Sequence, residues 1–381
     1  MTALDESLAW LREQGPAMEV LLGALVETSS YTADREGVNA AGALLRAAAP
    51  LTCEAVEGER YGDHLLFHNE RRAGDPGVVI VGHHDTVFPK EVFSGWHTEG
   101  RHGFGPGCFD MKGGLVVVAF ALKALDVSGL LPSVPLSFVS VADEEVGSPE
   151  SRAALSHLAR GADAALVFEA GRAGDAIVTR RKGTATVIAR AKGRAAHAGN
   201  ARGEGASAVV AMARFILAAE ALNDASGEVT VNVGRVHGGT SKNTVPAECA
   251  ADLDARFVTA AQGEALLDAL RAAAESSAIE GTSIALSGGV SRAPLERTAQ
   301  SAALRELYAR CQREAGLGDG EHPLVGGGSD ASTTAAVGVP SIDGLGPRGA
   351  GYHTRDERVE LDSLGPKAEA LVRYLASRAG L

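Results

Sequence analysis

Cysteine is scarce: four residues, Cys53, Cys108, Cys249 and Cys311, lie far apart in 381 positions, with no Cys-x-x-Cys pair. That spacing argues against a disulfide framework and makes a reducing, cytoplasmic setting the expectation. Aromatic residues amount to 4%, so the core must be built from Ala, Val and Leu, with many tight turns among 47 glycines. No window approaches ~18 uninterrupted apolar residues, which excludes an ordinary membrane span. Basic residues are outnumbered 36 to 48, for a net charge of −12. A chain this acidic has no global attraction for phosphate backbones, so nucleic acid is not an expected partner. The first residues, MTALDESLAWLREQ, carry charge from Asp5 onward. They lack a basic segment followed by an apolar one, so no secretory signal is expected.

What is present is ordinary for a soluble globular protein: 45% apolar and 22% charged residues. The length is too great for one compact core and suggests two or three domains. Residues 16–29, 36–49, 113–126 and 150–160 read as helices. Between them stand short apolar runs: VVIVG at 78–82, Val134–Ala142, and AALVF at 164–168. Unbroken apolar strands alternating with helices indicate a mixed, mostly parallel sheet flanked by helices.

Near Lys182 the texture changes. A strand at 184–192, a helix at 204–223, an alternating run at 228–236, a second at 247–257, a helix at 260–277 and a strand at 282–288 follow in order. In Ala247–Phe257 the apolar residues share one face, and Glu248, Asp252, Asp254 and Arg256 the other, which marks an antiparallel strand with one wet side. The order β-α-β-β-α-β resembles a ferredoxin-like unit. After residue 294 the first texture resumes, with a helix at 297–315, the apolar run Val337–Leu345 and a helix at 361–379. The expected architecture is an α/β domain of residues 1–182 and 295–381, interrupted by an α+β domain of residues 183–294.

Chemistry-bearing residues recur just past the apolar runs. His83-His84-Asp85 follow the first, Asp143-Glu144-Glu145 the second, and Glu169 the third. His353 comes after the run ending at Leu345. Asp110 stands in GPGCFDMKGG, immediately before a helix. Open α/β sheets bind ligands beyond the carboxyl edge of their strands. Two histidines and three carboxylates are what two divalent ions need, and imidazole with carboxylate oxygen suits zinc. In His83-x-Asp85, residues two apart on an extended segment point the same way, so Asp85 can orient a metal-binding His83. Of two consecutive glutamates, one can face the metal while its neighbour acts as general base.

Together GHHDTV, GPGCFDMKGG, ADEEVGS, VFEAG and GYHT resemble the co-catalytic di-zinc metallopeptidases. That family includes glutamate carboxypeptidase, aminoacylase, acetylornithine deacetylase and succinyl-diaminopimelate desuccinylase. The resemblance runs over nearly the whole chain, including the inserted domain, and is greatest to the carboxypeptidase members. It implies two zinc ions per chain, with cobalt or manganese as substitutes. His83 and Glu169 would bind one ion, Glu145 and His353 the other, and Asp110 both. Asp85 would buttress His83, and Glu144 would be the general base. The peptide bond Asp110–Met111 would be cis. The inserted domain would form a homodimer, and His197, in HAGN, would reach the partner's site and polarise the scissile carbonyl. Asn243, in GGTSKNTVP, and Arg256 match the family's substrate-contacting stretch. Arg292 matches an arginine that holds the substrate α-carboxylate, and Gly327 and Gly328, in GGGSD, match a substrate-lining turn.

The implied activity is cleavage of an amide bond next to a free C-terminal carboxylate, in a small peptide or an N-acyl amino acid. The rival activities are N-acyl-amino-acid deacylase and aminopeptidase or dipeptidase. In this family a glutamate at the position of Glu169 goes with carboxypeptidases and deacylases, an aspartate with aminopeptidases. A non-catalytic homologue would have lost a ligand or the base, and none is lost. One departure stands out. Glutamate-specific members carry a lysine and a serine where Ile177 and Thr179 stand here. Several polar residues also have plain readings. His84 would pack, as would Cys108; Lys112 would form a salt bridge beside Asp110; and Arg256 would neutralise the acids on its own strand face.

Overall fold

In the computed structural model, residues 2–69 and 77–379 are described. They fall into two compact units: residues 2–69, 77–179, 297–324 and 329–379, and residues 180–296 with 325–328.

The larger unit is built on a six-stranded sheet. Its order is Thr52–Val56, His64–His68, Leu136–Val141, Val78–His83, Ala164–Val167 and Ser341–Ile342. The last four strands run parallel; the hairpin Thr52–Val56/His64–His68 is antiparallel. All residues of Val78–His83, Leu136–Val141 and Ala164–Val167 are buried, as expected of strands covered on both faces. The helix Gly113–Val127 is apolar nearly all round (GGLVVVAFALKALDV), and it is buried accordingly. It packs against Leu364–Arg378 and Ala3–Arg12. Gly114 allows its first turn to sit on the backbone before Glu169: a Cβ there would lie 2.1 Å from the Phe168 carbonyl oxygen.

A small sheet of His97–Glu99, His102–Phe104, Arg358–Glu360 and Gly349–Ala350 completes the unit. It was not expected, nor were the helices Ala3–Arg12 and Ala331–Ala336. The run Val337–Leu345 contributes only the two-residue strand Ser341–Ile342.

The smaller unit has the four-stranded antiparallel order Ser283–Arg292, Gly183–Lys192, Glu248–Phe257 and Thr230–Gly238. With helices Ala208–Glu220 and Ala260–Ser277, this is the ferredoxin-like arrangement. Cys249, Ala251, Leu253, Ala255 and Phe257 line its core with Met212, Phe215, Leu266 and Leu270. The expected division left residues 325–328 with the outer segments. They belong instead to the smaller unit, because Lys182 N–H donates to Val325 O and Val325 N–H to Arg180 O. Among the described residues no helix is long and apolar enough to cross a membrane.

Candidate metal centre

Three adjacent parallel strands end at one edge of the large sheet. Val78–His83 ends in His83 itself; Leu136–Val141 leads into Glu144 and Glu145; Ala164–Val167 leads to Glu169. Asp110 arrives from the segment before helix Gly113–Val127, and its peptide bond to Met111 is cis. His353 is delivered by the hairpin Gly349–Ala350/Arg358–Glu360, rather than by the end of the preceding apolar run. It has a positive φ of 60°, following Gly351 at 78°. A non-glycine residue is uncommon there.

These groups converge. Ligand atoms of His83, Asp110 and Glu169 all lie within 4.8 Å of one another, and so do those of Asp110, Glu145 and His353. His83 Nε2 stands 3.4 Å from Asp110 Oδ1 and 3.8 Å from Glu169 Oε1. His353 Nε2 stands 3.1 Å from Glu145 Oε2 and 3.6 Å from Asp110 Oδ2. Asp110 thus belongs to both groups.

Asp85 does more than face His83. His83 Nδ1 is 3.0 Å from the Asp85 backbone oxygen and 3.4 Å from its carboxylate. The same carboxylate accepts the N–H groups of Glu144 and Glu145, each at 3.2 Å, and the Thr32 hydroxyl at 2.8 Å. One side chain therefore fixes an imidazole and the turn bearing both glutamates. Asp143 is bound at the start of the next helix, accepting from Glu150 N–H at 2.7 Å and from the Ser151 hydroxyl.

The charge balance is unfavourable without a cation. Two carboxylates at this separation repel by about 3–4 kcal/mol at an effective dielectric near 20. Burial and the Asp110 charge push Glu169 well above the usual carboxylate range, and burial also raises Glu145. The hydrogen bond to Glu145 lifts His353 to about 9. Burial alone would depress His83, yet Asp110, Asp85 and Glu169 hold it well above its ordinary value. Burial opposes ionisation of Asp110, but His83 and His353 still draw it down to about 2. The cluster thus recruits protons to offset its own charge. His83 Nε2, Asp110 Oδ1 and Glu145 Oε1 are buried and find no hydrogen-bond partner among the described residues. Such orphaned donors in an acidic, nitrogen-and-oxygen pocket fit a pair of divalent cations.

Three contributors escaped the sequence reading: Thr32, Glu357 and the actual partners of Lys112. Lys112 Nζ donates to the Leu25 and Thr28 carbonyls rather than to Asp110. It ties off the end of helix Gly15–Glu27. Glu357 accepts three backbone N–H groups of the Asp110 segment. His84 packs, with Nδ1 on the Ser140 hydroxyl, and Cys108 is buried.

The other six candidates lie in the smaller unit. His197 is exposed, and its Nδ1 accepts N–H bonds from Gly199 and Asn200 at 3.2 and 3.1 Å. That places its ring proton on Nε2. The HAGN turn is tied to Asn243, whose backbone oxygen accepts from Ala198 N–H at 2.9 Å. Arg292 is 8% exposed, and Gly328 packs directly on it: a Cβ there would come within 2.4 Å of Arg292 Cδ. The Arg256 fork is engaged, with Nε on Asp254 and Nη1 on the Gly326 carbonyl, both at 2.9 Å. Arg181 Nη1 donates to Gly327 O at 3.2 Å. Two arginines therefore shape the glycine loop from outside.

Comparison with known proteins agrees with this picture. Over 375 residues the chain is 28% identical to carboxypeptidase G2 of a Pseudomonas species, covering 96% of this chain and 89% of that protein. It is 26% identical to a succinyl-diaminopimelate desuccinylase of a Polaromonas species, covering 92% and 83%. The crystal structure of a tripeptidase from Staphylococcus aureus has the same fold, with a TM-score of 0.81 at 22% identity over 96% of this chain and 99% of that one. The profile of peptidase family M20/M25/M40, whose members are metal-dependent, matches residues 79–377, and the chain belongs to that family.

Proposed function

We propose that this chain is a di-zinc hydrolase that cleaves an amide or peptide bond next to a free C-terminal carboxylate. The observation that carries the reading is the shared Asp110: two ligand groups meet on one carboxylate, with buried donors left unpartnered. His83 and Glu169 would hold one ion, Glu145 and His353 the other. Zinc suits these donors, and cobalt or manganese can replace it. Bound there, such ions supply Lewis acidity and lower the pKa of water to about 7.

The protein's own groups do the rest. Asp85 holds His83 and pins the Glu144–Glu145 turn. Glu144 accepts the proton of the attacking water and passes it to the leaving nitrogen. His197 donates its Nε2–H to the carbonyl oxygen as charge develops there. Arg292 grips the substrate carboxylate through its planar fork, with Asn243 and the Gly327-Gly328 backbone beside that carboxylate in the bound state. Arg256 acts on substrate through the glycine loop that it bonds.

Glu169 supports a carboxypeptidase or deacylase over an aminopeptidase. Ile177 and Thr179 bear on the leaving residue. Ile177 is fully buried in the core, and the Thr179 hydroxyl is bonded to Glu321. Neither is available to a glutamate side chain, so the leaving residue need not be glutamate.

A substrate series with free and amidated C-termini tests the proposal. Amidation should raise KM roughly 10- to 100-fold, the value of a charge-assisted bidentate contact. Arg292→Ala should cause a similar loss with the free acid and little further loss with the amide, because both changes remove one contact. Equal turnover of acids and amides would refute the carboxylate requirement. Cleavage that needs a free N-terminal amine would identify an aminopeptidase.

The smaller unit is the proposed dimerisation element. Its edge strand Thr230–Gly238 leaves Val236 57% exposed, and Leu217 on helix Ala208–Glu220 is 74% exposed. An open edge beside apolar side chains suits a second copy. If His197 then serves the partner's site, mixing Glu144→Gln with His197→Ala subunits should restore activity to roughly a quarter of wild type by random pairing. A monomer by light scattering, or no recovery after verified subunit exchange, would exclude action in trans.

A further inference from the structure

Glu357 is a buried acid near the ligands that the chemistry above leaves without a task. It closes the hairpin loop four residues after His353 and is 2% exposed. Its carboxylate turns toward the segment carrying Asp110. Oε2 accepts Gly107 N–H at 2.9 Å, and Oε1 accepts both Phe109 N–H and Asp110 N–H at 3.0 Å. These donors lie in irregular backbone with no strand ladder to satisfy them, and a buried N–H must find an acceptor. A single side chain from the His353 loop thus satisfies the amide of Asp110 and two of its neighbours.

We propose that Glu357 is a positioning residue that sets Asp110 and the His353 loop relative to each other, and so governs the second ion of the pair more than the first. The inference rests on the di-metal reading above. Its asymmetry follows from membership of the two ligand groups. In the group Asp110–Glu145–His353, two of three donors sit on the elements that Glu357 joins. In the group His83–Asp110–Glu169, only Asp110 does. The other two are held from the sheet edge, His83 by Asp85. Loosening the clamp therefore displaces two donors of one ion and one donor of the other.

The residue type also matters. Three N–H groups converge, and a carboxylate offers an acceptor to all of them. Glutamine is isosteric but presents one acceptor oxygen; its NH2 would confront a backbone donor. Glu357→Gln should therefore keep the fold and damage the clamp.

Metal-free wild type and Glu357→Gln are titrated with Co(II), following the visible absorption of the bound ion and the heat of each step. In the variant the first equivalent should bind within about threefold of wild type and the second roughly 10- to 100-fold more weakly, the usual cost of losing an outer-shell partner. Both steps unchanged, or both weakened alike, would overturn the proposal. Amide exchange in metal-free wild type gives a reading that does not depend on the variant folding. Gly107, Phe109 and Asp110 should be protected, and rapid exchange at these amides would overturn the clamp. Wild type binding fewer than two ions would overturn the di-metal reading itself, an outcome visible before any variant is compared.

Discussion

Exhaustive chelation should abolish turnover, and added zinc should restore it. Asp110→Ala should reproduce the loss in a form that zinc does not rescue. The reason is that Asp110 belongs to both ligand groups, so its removal would take one donor from each ion of the proposed pair, together with the negative charge that would offset their mutual repulsion. Without bound metal, water stays far less acidic than the pKa of about 7 that a bound ion would give it. Stability should follow occupancy. Each ion present at ~100 times its dissociation constant adds about 2.7 kcal/mol to the folded state, so the thermal midpoint should fall on chelation and rise again with zinc. The buried, mutually repelling carboxylates of the metal-free cluster act in the same direction. Full activity after verified removal of metal would end the di-metal reading.

The parts of the site legible in the sequence are those made by local chain order. His83 and Asp85 could be read because two positions along an extended segment point the same way. Glu144, Glu145 and Glu169 could be read because an unbroken apolar run must be a buried strand, and whatever follows it reaches the sheet edge. Asp110 and His353 could be read only from weaker signs, a place just before a helix and a place after the run ending at Leu345, and the resemblance supplied their roles. The structure explains why. Asp110 N–H is held by Glu357 across 247 positions. His353 sits on a hairpin whose strands are two and three residues long. Such strands are too short to produce a periodic signal.

The remaining omissions have the same cause. Thr32 reaches Asp85 from 53 positions away, and Lys112 finds carbonyls on a helix 87 positions earlier. In each case a polar side chain satisfies a remote backbone or carboxylate, and nothing in its neighbours announces the partner. One strand was missed for a different reason. Thr52–Val56 lies at the sheet edge, exposed or half-exposed throughout, so burial did not impose an apolar pattern on it. The inserted unit was easier. Its strand Glu248–Phe257 alternates buried and half-buried residues from Cys249 onward, so period-two reading locates it within a residue or two.

The two adjacent glutamates should separate by function. Their backbones are equivalent: each N–H is held at 3.2 Å by one oxygen of Asp85. Their side chains are not. The Glu145 side chain is 6% exposed and lies 3.1 Å from His353 Nε2, inside a ligand group. Glu144 belongs to neither group, but its charge acts on Glu169, so it borders the ligands without joining them. Glu144→Gln should therefore retain both ions and lose roughly 10²- to 10⁴-fold in kcat, the range for removal of a general base, with KM little changed. Glu145→Gln should instead lower metal content, with activity partly recovered at high zinc. Metal analysis after desalting, beside kcat at saturating substrate, distinguishes the two. If the variants exchange these phenotypes, the base and the ligand have been assigned the wrong way round. If both lose metal equally, the turn held by Asp85 acts as a single ligand-bearing unit and the proton must be carried by another group.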